Sequence, residues 1–140
     1  MAKASPLLQG VQEVFCTTDV YEAHPIGQIK VLMRGQVVEG LTKDAAPAKG
    51  EKASAQGRMQ PINDPMMPIV WTLEHGKQKV LTTTMGAATD LLNEGLRRLL
   101  VNGVYWSLGM RVPAKADVSL VGEYHPSAFG FERYRTGQRP

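Results

Sequence analysis

The stretch KVLTTTMGAATDLLNEGLRRLLVNGVYWSLG, residues 79–109, reads as a strand that turns at Gly86 into a long amphipathic helix. Lys79 to Thr84 is rich in β-branched and apolar residues and carries no proline. From about residue 88 to 108, Leu92, Leu96, Leu99, Leu100, Val104 and Leu108 recur at helical spacing and predict one buried face. Asn93, Glu94, Arg97 and Arg98 fall largely on the others. Six such side chains stabilise a helix by roughly 1.5–3 kcal/mol each only if a sheet covers them. Thr89 and Asp90 stand where a helix start needs acceptors for its free amides. Gly95 and Gly103 lie two turns apart and permit close backbone approach. Gly109 reads as the C-cap.

Upstream, Ile69–Leu73, a tight turn at His75–Lys77 and the returning strand Lys79–Thr84 predict an antiparallel hairpin. Ile29–Met33 is a further strand between Gly27 and Gly35, and Val11–Thr17 alternates like a short strand that ends at Thr18 and Asp19. The pattern collapses from Glu39 to Pro68. Residues 43–57, rich in Ala, Lys and Gly, predict a disordered loop. Residues 60–68, with three prolines, predict an ordered, extended approach to the hairpin. Asp117–Gly122 predicts a short strand. Residues 120–140 form an extended tail, with Leu120, Tyr124, Phe129, Phe131 and Tyr134 as anchors.

With 140 residues and an apolar share of 43%, the chain is one domain or part of one. The net charge of +3 is mild and its cations are scattered. Arg133, Arg135 and Arg139 read as a solvated tail, and no aromatic interleaving supports a nucleic-acid partner. No apolar run reaches membrane-spanning length. The first residues lack the apolar core of a signal peptide, although a longer parent could be exported. Cys16 is the single cysteine, so no internal disulfide and no paired-cysteine metal site is expected.

Few residues carry chemistry. His24, His75 and His125 sit in three separate turns, without metal-ligand spacing. Cys16 has no histidine beside it in sequence and reads as an inert thiol. Asp19 and Tyr21 follow a strand end, where a binding residue and a turn-capping aspartate are both natural readings. Thr82–Gly86 ends a strand and opens a helix, so its hydroxyls and amides suit an anion or a sugar hydroxyl. No glycine-rich nucleotide motif is present.

Several motifs together resemble the C-terminal half of ThuA-like (trehalose utilisation) domains. They are Val70-Trp71, Gly76-Lys77, Val80 through Gly86, and Arg97 through Gly109. The opening Pro6 through Val11 and the run Thr18 through Tyr21 are similar too. Residues 63–68 and the ending around Leu120–Tyr124 and Pro126–Phe131 look like a subgroup found in planctomycete-type bacteria. The resemblance implies an α/β, class I glutamine amidotransferase-like (flavodoxin-like) fold with a parallel sheet, of which this chain is the C-terminal part. It also implies a link to carbohydrate utilisation with no defined activity. Such domains often place histidines where this chain has Ala87 and Ser5, which removes two candidate acid–base groups.

The expectation is therefore a partial domain without catalytic residues, cofactor or metal. A sugar or small-molecule ligand would meet Asp19, Tyr21, Thr83, Thr84, Met85 and Gly86. An exposed sheet edge and an apolar helix face predict self-association or a protein partner. A non-catalytic accessory module docking through residues 63–68 and the tail, or an inactive fragment, are the alternatives.

Overall fold

A computed structural model describes residues 5–128. The Phe129, Phe131, Tyr134 and arginine expectations lie outside them. The described residues form a small mixed α/β unit. Its strands are β1 (Ile29–Gly35), β2 (Glu51–Ala53), β3 (Met59–Pro61), β4 (Met67–His75) and β5 (Gln78–Thr83). One α-helix, α1 (Glu94–Ser107), follows, and short 3-10 turns span Pro6–Leu8 and Ala88–Leu92.

The main sheet has the order β1-β4-β5, and β2 pairs with β3 in a second sheet. Both sheets are antiparallel throughout, where the resemblance implies a parallel sheet. A two-residue link explains the β4–β5 pair. His75 faces Gln78 across the Gly76-Lys77 turn, and Gly76 takes the positive φ of +58° that such a turn requires. Parallel pairing needs a long crossover, which the two-residue β4–β5 link does not supply; β1 and β4, joined through residues 36–66, also pair antiparallel. Residues 11–17 are irregular rather than a strand, as are 117–122. Within 43–57, where composition suggests a disordered loop, the chain carries β2 and the turn toward β3. Asn63 holds that region to the body. Its amide donates to the Val37 and Ala48 carbonyls, and its oxygen accepts the Val37 amide.

The core centres on Val70, Leu96 and Leu99, all fully buried. Alternation along β4 turns Val70 and Thr72 toward α1, and Trp71 and Leu73 to the opposite face. The helical run breaks at Asn93, whose side chain accepts the Leu96 amide and starts α1 afresh.

The buried face of α1 keeps only Leu96, Leu99 and, in part, Leu100 of the leucine stripe that periodicity predicts. Leu92, Val104 and Leu108 are exposed, while Gly95, Arg98, Asn102 and Gly103 are buried with Leu96 and Leu99. The N-terminal segment is the cause, because it packs along one flank of the helix and claims its polar arc. Asn102 Nδ2 donates to the Leu7 and Gln9 carbonyls at 2.9 Å. Arg98 donates to the Gly10 and Ala116 carbonyls and pairs with Glu94. Arg97 donates to Leu91, Leu92 and Val118 carbonyls. Two arginines that look solvent-facing in sequence thus bind three separate backbone segments to one helix. No helix among the described residues is long and apolar enough to cross a membrane.

Candidate functional site

Beside α1, the irregular segment 13–20 runs past the exit of β1 and leaves a groove of about 640 Å³. One wall is Cys16, Thr17, Thr18 and Asp19, another is Met33 through Val38, and Ile69, Thr84 and Met85 close it. Lys43 and Glu13 form an exposed ion pair at the rim, 3.4 Å apart.

A single buried carboxylate fixes the geometry. Asp90 has both oxygens 2.9 Å from the Thr18 hydroxyl. Its Oδ2 also accepts the amides of Gly86 and Ala87, at 3.0 and 3.1 Å. Asp90 therefore ties the Thr17–Asp19 bend to the turn after β5, although 72 positions separate it from Thr18. The turn's amides are consumed by the protein's own carboxylate. The expectation that they receive an external anion is corrected accordingly.

Of the residues expected to contact a ligand, Asp19, Thr84 and Met85 line this groove. Tyr21, Thr83 and Gly86 do not. Tyr21 is exposed elsewhere, Thr83 Oγ1 accepts the Met85 amide, and Gly86 is held by Asp90. Sequence reasoning missed Thr17 and Arg34 in the lining. A bend that brings a strand exit alongside an irregular segment leaves no local signal.

The ionisable side chains of the groove are Glu13, Cys16, Asp19, Arg34, Lys43 and Asp44. None of the three histidines lines it. His24 lies 2.6 Å from Glu22, and His125 pairs with Glu123. Glu22 also accepts the Ala55 amide, and the His24 contact followed by that bond holds its carboxyl below its usual range. The Cys16 thiol is pushed up to about 12, first by burial, then by the Asp90 charge and its hydrogen bond. A thiol so held is a weak nucleophile source at neutral pH.

A measurable consequence follows for alkylation. Against an ordinary thiol of 9.0, the thiolate fraction at pH 9 falls on the order of 500-fold, and higher basicity returns only about 20-fold. Iodoacetamide should therefore label Cys16 in the native chain at least ~10-fold more slowly than in the urea-unfolded chain. Equal rates would contradict the buried thiol. Because the folded value is raised, the linked stability is intact below pH 9 and is lost as pH climbs from 9 toward 12.

A second hollow of about 380 Å³ lies between Arg97, Arg98 and residues 115–119. Its guanidinium groups are already spent on carbonyls. Among the described residues no cluster of three or more His, Cys, Asp or Glu could hold a metal ion. In comparisons with family models, characterised proteins and solved structures, nothing matches this chain.

Proposed function

We propose that the groove is a non-catalytic binding site for a polyhydroxy ligand, within a ThuA-like domain of class I glutamine amidotransferase-like type that serves carbohydrate utilisation. One observation carries the proposal. Two stretches that bear the family resemblance, Thr18–Tyr21 and Val80–Gly86, come together at this groove, and Asp90 locks them there. The lining combines hydroxyls of Thr17 and Thr84 and the Asp19 carboxylate with Arg34, whose Nη1 donates to the Met66 carbonyl, and with apolar floor residues. Donors and acceptors of both kinds over an apolar base suit sugar hydroxyls and ring faces.

Binding is favoured over turnover because the lining holds no imidazole, its thiol is protonated at neutral pH and, of its carboxylates Glu13, Asp19 and Asp44, Glu13 is paired with Lys43. In the accessory-module alternative only Asp64, Pro65 and Met66 of residues 63–68 are exposed for docking, since Asn63 is committed to the loop it clamps and Met67 and Pro68 are buried.

A thermal-shift panel of mono- and disaccharides, trehalose included, tests the proposal. A ligand at a hundred times its Kd stabilises by about 2.7 kcal/mol, which raises Tm by several degrees in a domain of this size. The shift should vanish in the Asp19→Ala, Thr84→Ala double variant. A panel in which no sugar moves the wild-type Tm would overturn the binding site.

A further inference from the structure

The two edges of the main sheet differ in how they are protected. β1 carries register irregularities between Val31 and Met33 and between Met33 and Arg34, and such bulges twist an edge away from new partners. β5 pairs with β4 in unbroken register over its whole length. It contains no proline, and its one charge, the Lys79 amine, lies over the Trp106 ring at 5.4 Å rather than guarding the edge.

The hydrogen-bonding phase of β5 is fixed. The Thr84 amide donates to the Ile69 carbonyl. In an antiparallel ladder the bonded positions alternate, so Thr82, Val80 and Gln78 also face β4. The amides and carbonyls of Lys79, Leu81 and Thr83 then point away from the sheet. No backbone group among the described residues bonds to them.

α1 overhangs this edge with an apolar flank. Leu96, Leu99 and Gly103 face the sheet, with Gly103 seated against Leu81 of β5. Gly95, Arg98 and Asn102 face the N-terminal segment on the β1 side. The remaining lateral side, over the β5 edge, carries Leu100 and Val104, and Val104 is 61% exposed.

We infer that β5 is an interface at which a second copy of this chain adds its own β5, antiparallel and about a two-fold axis. Self-pairing suits this strand in particular. With Leu81 opposite Leu81, the outward groups face one another, and Lys79 stands opposite Thr83 of the other copy, so no like charges meet. The same two-fold brings the Leu100 and Val104 flanks of the two helices together on one face. The contact is isologous and therefore closes at two copies. The six strands become one sheet, edged at both ends by the bulged β1.

Sedimentation velocity of the full 140-residue chain over a concentration series tests the inference. The expected species approaches twice the 15.3 kDa of one chain. Native hydrogen exchange should show the Lys79, Leu81 and Thr83 amides becoming protected as concentration rises. Val104→Glu places a carboxylate at an exposed position and should return a monomer with unchanged circular dichroism. Lys79→Pro, which removes an outward amide together with the side chain over Trp106, should weaken the dimer at least tenfold. A chain that stays monomeric near 100 μM, about the range where a weak dimer forms, would overturn the inference. So would a dimer that survives both substitutions with the β5 amides unprotected, or open-ended aggregation in place of a closed pair.

Discussion

Gly95→Ala is expected to destabilise the fold by about 2–3 kcal/mol, read as a lower urea midpoint at unchanged m-value. A Cβ at this position would overlap the Glu13 backbone carbonyl. Backbone cannot rotate aside as a side-chain tip can, so the segment 11–16 must shift. That shift would disturb the neighbouring Arg98–Gly10 contact and the groove wall that begins at Glu13. The intrinsic helix preference of alanine returns only about 1 kcal/mol. Gly103→Ala is the control, because its new Cβ would meet the Cδ2 of Leu81, the far end of a flexible side chain. Its net effect should stay within about 1 kcal/mol of zero. Equal losses at the two glycines would refute the close backbone approach at Gly95.

Arg98→Ala is expected to cost about 3 kcal/mol. Arg98 is 5% exposed and donates to the carbonyls of Gly10 and Ala116, in segments that Asn102 and Arg97 also bind to α1. Truncation strips both carbonyls of a charged donor and leaves a void. Arg98→Lys should recover only part of the loss, since one ammonium cannot reproduce the planar fork that reaches both segments and Glu94. Hydrogen exchange should show residues 10–16 and 116–118 loosening together. A variant as stable as the wild type would show that these contacts are spectators.

Local chemistry made part of this molecule legible in sequence. The hairpin follows from two alternating runs around Gly76, and the helix from its leucine spacing. The close approach at Gly95 was visible because a mid-helix glycine otherwise only destabilises. The buried arc of α1 was not legible. Leucine periodicity selects Val104 and Leu108, but the N-terminal segment brings unpaired carbonyls to the other flank, and Arg98 and Asn102 are buried to satisfy them. Nothing near Leu7 or Gly10 announces that demand. The groove was half legible for the same reason. Asp19 and Thr84 sit at strand or bend ends, where ligand residues commonly lie. The bond between Asp90 and Thr18 that brings the two together spans 72 positions, and locally Asp90 reads as an ordinary helix cap. Residues 43–57 read as a disordered loop for a different reason. Their composition lacks a core, and Asn63 and Glu22 supply the ordering contacts from outside.

The binding groove is tested most directly by amide shifts of the nitrogen-15-labelled chain titrated with trehalose and a panel of related polyhydroxy compounds. The expected result is a single saturating response at Thr17, Thr18, Asp19, Thr84 and Met85 for at least one compound, with the Gly76 turn and the end of α1 unmoved. A panel that leaves those five amides in place, or a response centred on another surface, would contradict a ligand site between the Thr17–Asp19 bend and the end of β5.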